Sequence, residues 1–139
     1  MLGRPETVKA LLDTHILLWR HEDRGRLSRD QQEVIAAADA DSPLLISDIS
    51  LWEVAMLHSL GRIRLTTPLR EWLGKLASPP LVRRNGMSPA IAAELASLPD
   101  SFHRDPADRI LVATARVLGA TLLTRDRRIT EARLVDTLA

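Results

Sequence analysis

The chain has 139 residues, of which 45% are hydrophobic and 27% are charged, and its formal net charge is +1. This length predicts a single domain over residues 1–139, and the composition excludes a disordered chain and a polybasic nucleic-acid-binding arm. The absence of cysteine excludes disulfides, thiolate zinc sites and cysteine nucleophiles, and an aromatic content of only 3% argues against a protein that stacks bases on aromatic side chains.

The apolar stretches of the chain are too short to cross a bilayer. Residues 1–15 lack the apolar core and the small-residue cleavage site of a secretory signal. We therefore expect a cytoplasmic protein that does not associate with membranes.

Short apolar runs alternate with longer amphipathic segments, which is typical of an α/β fold with a mainly parallel central sheet. Capping residues mark several helix starts, for example Ser28 with Gln31 in capping-box spacing and Pro106 before a long apolar helix. In chain order, the sequence predicts a strand at 8–14, helices at 15–23 and 28–40, a strand at 43–47, a helix at 48–61, a short edge segment at 62–65, a helix at 68–78, a strand at 81–85, helices at 89–98 and 106–119, a strand at 120–124 and a last edge strand at 132–138.

Acidic residues follow several of the predicted strands. Asp13 ends the first strand, Asp126 lies just beyond the strand at 120–124, and Asp108 lies in the first turn of the helix that leads into that strand. Glu53 comes less than two helical turns after the second strand. Ligands of open parallel sheets bind at the carboxyl ends of the strands. If the strands beginning at 8, 44 and 120 are parallel neighbours, these acids share one rim.

Carboxylates that lie close together repel each other, so that one of them takes up a proton or a cation lies between them. Oxygen ligands without cysteine or a histidine cluster favour Mg²⁺ or Mn²⁺ over zinc. Such ions can activate water and stabilise the leaving oxygen of a phosphodiester. The acids alone leave two functions open, which are hydrolysis and simple ion binding.

Most of these acids also have a purely structural interpretation. Asp13 could end a strand and cap the next helix, and Asp126 could be a turn residue paired with a neighbouring arginine. Asp105 and Asp108 could be favourable charges in the first turn of a helix. Glu53 is harder to explain in this way, because helical spacing turns it toward an apolar face, where a carboxylate needs a partner. Nearby residues interpreted mainly as structural, solvent-facing or interface groups are His15, His103, Trp19, Trp52 and Trp72.

Four segments resemble the motifs of PIN-domain ribonucleases and occur in the order of that family: LLDTHILLW, ISDISLWEVA, HRDPADRILVATA and LLTRD. The versions DTH, LWE and HRDPADR are most similar to the VapC-type toxins of bacterial toxin–antitoxin pairs. The resemblance implies a three-layer α/β/α PIN-like fold with a central, mainly parallel sheet. It also implies an endoribonuclease that uses Mg²⁺ or Mn²⁺ to cleave RNA phosphodiester bonds.

The same resemblance implies roles for individual residues. The catalytic, metal-binding acids would be Asp13, Glu53, Asp108 and Asp126, with Asp13 and Asp108 as the principal ligands. Asp108 matches the third motif better than Asp105, because the apolar helix continues directly after Asp108. Lower-ranked candidates that could orient water or a carboxylate are Asp105, Thr14, Ser47 and Thr124, and the candidates for RNA contact are Arg62, Arg64 and Arg109.

The resemblance implies two kinds of partner, an RNA substrate and a cognate antitoxin protein that places a peptide segment in the active-site groove. It further implies a homodimer, and a heterotetramer or larger assembly with the antitoxin.

Three other functions share parts of this pattern. A receiver domain needs a phospho-accepting aspartate at the end of a central strand and a lysine after a late strand, whereas the middle strand here ends in Ser47. A phosphatase of the haloacid dehalogenase type needs Asp-x-Asp after the first strand, whereas this chain has Asp13-Thr14-His15. A non-catalytic PIN-like interaction domain is the main alternative, and the presence of all four acids argues against it.

Overall fold

The computed structural model describes residues 8–139, so the first seven residues of the predicted domain lie outside the described part of the chain. Strands and helices alternate along that part, as the apolar pattern predicts. The strands are β1 (Ala10–Leu12), β2 (Leu44–Ser47), β3 (Val82–Asn85), β4 (Thr121–Leu123) and β5 (Thr137–Leu138). The helices are α1 (Thr14–Glu22), α2 (Arg29–Ala36), α3 (Asp48–Ser59), α4 (Leu69–Leu76), α5 (Pro89–Ser97), α6 (Pro106–Leu118) and α7 (Arg127–Ala132), with a 3₁₀ turn at Arg24–Arg26.

These strands form one sheet in the order β3-β2-β1-β4-β5, and every neighbouring pair is parallel. The central strand β1 pairs with β2 at Leu11 and Leu45, and with β4 at Leu12 and Leu123. The strands predicted as parallel neighbours are therefore confirmed as such. Their carboxyl ends lie along one edge of the sheet, where the acidic residues follow them.

The side chains of the strands alternate between two hydrophobic cores, one on each face of the sheet. Leu12 and Leu123 face a core built with α1, α2, α3 and α4. Leu11 and Leu122 face a second core built with α5, α6 and α7. These four leucines are fully buried, and each contributes about 1.5–3 kcal/mol by leaving water. The predicted three-layer α/β/α arrangement is confirmed.

Capping residues fix the helix boundaries as the sequence predicts. Ser28 and Gln31 form a reciprocal capping box at the start of α2. Ser47 accepts a hydrogen bond from the backbone N–H of Ile49 and caps α3. Gly119 ends α6 in the left-handed conformation, with φ 63°, which glycine adopts without steric cost.

Two predicted edge strands, at 62–65 and at 132–138, differ from the structure. Residues 62–65 form a loop rather than an edge strand. Their alternating pattern arises because Ile63 and Leu65 pack against the first core while the two arginines between and before them are exposed. The last predicted strand shrinks to β5, and the preceding helix α7 is missed because a short charged segment carries little apolar periodicity.

None of the helices between residues 8 and 139 combines the length and the apolar character that a membrane span requires.

Candidate active site

The carboxyl ends of β1 and β4 hold two of the predicted acids together. The backbone N–H of Asp13 donates to the carbonyl of Leu123, 3.0 Å away, which extends the β1–β4 pairing by one residue. The Thr124 hydroxyl donates to Oδ2 of Asp13 at 2.7 Å and accepts from the N–H of Asp126 at 3.0 Å. Thr124 is fully buried and therefore links both carboxylate-bearing residues to the rigid end of the sheet.

Helix α3 carries Glu53, whose carboxylate is held by a network of buried hydroxyls. Thr14, the first residue of α1, donates its hydroxyl to Oε1 of Glu53 at 2.5 Å, and its N–H to Oδ1 of Asp13 at 2.7 Å. The hydroxyl of Ser50 lies 2.9 Å from that of Thr14 and is fully buried. A hydroxyl has one hydrogen to donate, and that of Thr14 is donated to Glu53. Ser50 is therefore the donor in its contact with Thr14. Thr14 thus connects Asp13 and Glu53.

The first turn of α6 supplies Asp108. Asp105 is the N-cap, and its Oδ1 accepts from the N–H groups of Ala107 at 2.9 Å and Asp108 at 3.2 Å. Asp108 itself is 8% exposed, and its Oδ2 lies 2.6 Å from Nε2 of His103. The structure therefore gives the two aspartates different partners: Asp105 caps the helix through its backbone N–H groups, whereas Asp108 has a histidine partner.

The four predicted acids line one cavity of about 280 Å³, which we call the acid cavity. Its lining residues are Asp13, His15, Trp19, Glu53, Asp105, Asp108, Arg125, Asp126 and Arg128. A larger and more open depression of about 890 Å³ lies beside α6 and β5, but it is lined by none of the four acids. The topology of the sheet has thus brought together residues that lie more than a hundred positions apart in the chain.

Burial and mutual repulsion disfavour negative charge on three of these acids. Burial raises the pKa of Asp13, although Thr124 and Thr14 donate hydrogen bonds to its carboxylate. Burial likewise raises the pKa of Glu53 and of Asp108, and the charge of Asp13 raises both further. Carboxylates in this setting gain from a nearby cation, because a positive charge offsets both the burial and the repulsion.

Asp126 is the exception, because an arginine of the same helix neutralises it. Partial burial opposes its ionisation, but hydrogen bonds from Arg128 outweigh that effect and lower the pKa of Asp126. The guanidinium Nη2 of Arg128 lies 3.1 Å from Oδ2 of Asp126 and 3.7 Å from Oδ2 of Asp108. The sequence suggests an arginine partner for Asp126 but does not indicate that this arginine also reaches a second acid.

The acid cavity offers the type of ligand atom, oxygen, that a hard divalent ion prefers. Its five carboxylates, the four predicted acids and Asp105, offer oxygen ligands without thiolate, the set that Mg²⁺ and Mn²⁺ prefer. Within residues 8–139, however, no three histidine, aspartate or glutamate side chains are already drawn together as a ready-made metal cluster. The carboxylates therefore have to turn toward one another to hold an ion, and Arg128 lies between two of them.

Other predicted residues lie outside the acid cavity. Ser47 caps α3, and Arg62 and Arg64 are exposed on the loop after α3. The guanidinium of Arg109 donates to the carbonyls of Phe102 and His103 and stabilises the loop before α6. Their proposed contacts with RNA or water stay predictions.

Several residues of the site were given no functional role from the sequence. Ser50 is one small polar residue in an apolar helix, and its spacing of three from Glu53 is its signal in the sequence. Trp19 and His15 follow Asp13 on α1, and their helical spacing of four places both rings beside the cavity, with ring centroids 5.9 Å apart. Arg125 also lines the cavity, and it donates to the carbonyl of Arg26.

Comparisons with known proteins identify the family and the fold. The family model of the PIN domain matches residues 10–134. Ribonuclease VapC22 of Mycobacterium tuberculosis (strain ATCC 25618 / H37Rv) is 41% identical over 119 residues, which cover 86% of this chain and 88% of the relative.

Two solved structures share the fold. The VapBC2 complex from Rickettsia felis, bound to a promoter DNA fragment, has a TM-score of 0.68 and 15% identity, and covers 93% of this chain and 96% of that one. A toxin–antitoxin complex from Klebsiella pneumoniae has a TM-score of 0.62 and 21% identity, with 94% and 96% covered.

Proposed function

This chain belongs to the PIN-domain family, and from that premise we propose that it is a metal-dependent endoribonuclease, the toxin of a toxin–antitoxin pair. One observation carries the proposal: four carboxylates, from α3, α6 and the segments that follow β1 and β4, line a single small cavity. The relative at 41% identity is named a ribonuclease. The family alone does not define the chemistry, which is argued from the residues of the site.

Asp13, Glu53, Asp108 and Asp126 would hold Mg²⁺ or Mn²⁺, with Asp13 and Asp108 as principal ligands. A bound ion of this kind would lower the pKa of a water molecule and offset negative charge on a scissile phosphate. Asp13 is suited to its role because both of its oxygens are fixed by neighbouring hydrogen-bond donors and keep lone pairs for a further partner.

Glu53 is proposed to orient the attacking water and to accept its proton. Burial raises the pKa of Glu53, so this carboxylate is a stronger base than an exposed glutamate. The hydroxyl of Thr14 holds one carboxylate oxygen and leaves the other free to face the cavity. His103 holds Asp108 in place through the contact between its Nε2 and Oδ2 of Asp108.

The first experiment is cleavage of total RNA by the purified protein. We expect cleavage with Mg²⁺ or Mn²⁺, loss of cleavage with EDTA and recovery when Mn²⁺ is added in excess. Asp13→Asn should lower the cleavage rate by about 100-fold or more, which is typical for removal of one charge-stabilising group from an active site.

The matched control is Asp100→Asn, which removes the same charge from an exposed position outside the acid cavity. This variant should cleave RNA like the wild type. Cleavage at the wild-type rate by a folded Asp13→Asn protein would contradict the proposed site.

A second candidate is a PIN-like interaction domain without catalysis. It is favoured by the lack of a ready-made metal cluster in the described residues. Calorimetric titration with Mn²⁺ separates the two functions, because the nuclease requires saturable binding that is lost in Asp13→Asn, whereas the interaction domain requires none.

The proposed partners are an RNA substrate, a cognate antitoxin and a second copy of the chain. The Klebsiella structure pairs a toxin with an antitoxin, and we extend that pairing to this chain, in a heterotetramer or larger assembly. The exposed Arg62 and Arg64 are candidates for RNA phosphate contacts, which would make RNA binding weaken as salt concentration rises. Their replacement by glutamine should reduce that salt dependence.

A further inference from the structure

We propose that Arg128 is an internal counter-cation of the acid cavity, and that it must leave Asp126 and Asp108 before a divalent ion binds there. The inference rests on the proposed metal-dependent function and adds a residue that sets the affinity for the ion.

The contacts of Arg128 with Asp126 form a fork. Its Nε lies 3.4 Å from Oδ1 of Asp126, and its Nη2 lies 3.1 Å from Oδ2. Its backbone N–H donates to the same Oδ1 at 2.9 Å, which caps α7. Both oxygens of this predicted ligand are thus engaged by one residue, in the two-pronged geometry that suits a guanidinium and a carboxylate.

The same guanidinium also faces the second acid. Nη2 of Arg128 lies 3.7 Å from Oδ2 of Asp108, which is within ion-pair distance. Arg128 therefore bridges two carboxylates that come from the end of β4 and from α6. An ion held by these two acids needs oxygens that the arginine now neutralises, so the two cations compete for the same negative charge.

The neighbouring arginines have other partners. Arg127 pairs with Glu131 at 3.2 Å on the exposed side of α7. Arg125 donates to the carbonyl of Arg26 at 3.1 Å. Within α7 and the loop before it, Arg128 is the arginine whose charge is paired with the acids, which makes Arg127 a suitable control.

The side chain of Arg128 can leave the cavity without unfolding the helix. It is 61% exposed, so its rotation into water breaks contacts that are individually weak. The cap of α7 stays intact during that rotation, because it uses the backbone N–H of Arg128. The apparent dissociation constant for the ion is the intrinsic constant divided by the fraction of molecules in which the arginine has moved away.

The test is calorimetric titration of Mn²⁺ into the wild type, Arg128→Gln and Arg127→Gln. We expect Arg128→Gln to bind Mn²⁺ about three- to fivefold more tightly than the wild type, which is the range for losing one partly exposed ion pair. Arg127→Gln loses the same charge one residue away and should change the affinity less than twofold. In EDTA, Arg128→Gln should melt below Arg127→Gln, because its carboxylates lose their counter-cation.

The outcomes separate this inference from the proposed function. If the wild type and both variants fail to bind Mn²⁺, the metal-dependent function is wrong and the inference goes with it. If the wild type binds Mn²⁺ but Arg128→Gln binds it equally, more weakly, or no better than Arg127→Gln, the function stands and the role of Arg128 is wrong.

Discussion

At the scale of single residues, one buried hydroxyl connects two of the four acids. Thr14 donates through its backbone to Asp13 and through its side chain to Glu53. Thr14→Val keeps the shape but removes the donor to Glu53. We expect RNA cleavage to fall by about tenfold or more, in line with the loss of an orienting group. The measurement is the single-turnover cleavage rate at saturating Mn²⁺.

Thr14→Ser is the control for this prediction, because it restores the hydroxyl and should recover most of the activity. The hydrogen bond from Thr14 lowers the pKa of Glu53. Its removal should therefore shift the acidic limb of the pH–rate profile to higher pH in Thr14→Val. Equal rates and profiles for the valine and serine variants would show that Thr14 does not position Glu53.

Glu53 itself allows a prediction about stability. Its folded-state pKa is raised above its ordinary value of 4.5 by burial. Its contribution to stability is therefore complete below that value and is lost as pH rises through the raised pKa. Above the raised pKa the folded protein holds a partly buried negative charge, which lowers its stability. Glu53→Gln carries no charge, so in EDTA at pH 8 the variant should be more stable by about 1 kcal/mol, or about 3 °C in Tm. The gain should shrink as the pH is lowered toward 5.

Glu33→Gln is the matched control, since Glu33 is exposed and pairs with Arg29 on the surface of α2. This change should leave Tm within about 1 °C at both pH values. Added Mn²⁺ should raise the Tm of the wild type more than that of Glu53→Gln, because an ion stabilises the state that binds it. A Glu53→Gln protein that melts below the wild type at pH 8 would contradict the assigned environment.

Some residues of the site could be placed from the sequence, and others could not. The positions of Asp13 and Asp126 follow from the strands that precede them, because a strand end fixes where the next side chain emerges. The partner of a long side chain is not fixed in this way. Arg128 has several rotatable bonds and two acids within reach, so its bridging position depends on tertiary structure.

At the scale of elements, the start of α6 holds both a helix cap, Asp105, and a proposed ligand, Asp108. Asp105 accepts hydrogen bonds from two backbone N–H groups of the first turn. Asp105→Ala should therefore destabilise the protein by about 1 kcal/mol, or about 3 °C in Tm, while Asp105→Asn keeps a cap and should lose little. Thermal melts of the two variants in EDTA measure this difference.

Cleavage assays complete that prediction. Asp105→Asn should retain most of the RNA cleavage, whereas Asp108→Asn should lose about 100-fold or more. Because both variants replace one carboxylate by an amide within the same turn, they control for each other. Strong loss of cleavage in Asp105→Asn at unchanged stability would move the ligand role from Asp108 to Asp105.

Elements with a clear physical signal were predicted well, and those without one were not. The helix α6 combines an acidic N-cap, a proline at its first position, apolar periodicity and a closing glycine, so its bounds follow directly from the sequence. The helix α7 has six residues and one buried side chain, Ile129. Its stability comes from packing that side chain against the second core, a contact that local sequence does not reveal.

At the scale of the whole molecule, the parallel sheet explains why distant acids meet. Strands β2, β1 and β4 are adjacent and parallel, so the residues that follow them gather at one edge. This gathering was predictable from the order of strands and helices. The spacing of the carboxylates was not, because it depends on side-chain rotation and on Arg128 rather than on the backbone.

The outer face of α3 allows a prediction about assembly. Trp52, Met56 and Leu60 recur every fourth residue, and their exposed fractions are 53%, 39% and 61%. The opposite side of α3 is buried through Ser50 and Val54. An exposed apolar stripe opposite a buried helix face is typical of a protein interface. We expect a second copy of the chain to cover it.

Met56→Lys places a charge in the middle of this stripe, on a side chain that is already partly in water. The wild type should have the mass of a dimer by light scattering, and Met56→Lys should have the mass of a monomer, because a buried lysine without a partner destabilises the interface. Val117→Lys is the matched control, since Val117 is also 39% exposed but lies on α6 rather than on α3. It should remain dimeric. A monomeric wild type, or a Met56→Lys protein that keeps the dimer mass and a native circular dichroism spectrum, would show that the stripe is not a dimer interface, since a lysine in the middle of a buried apolar contact has no partner there.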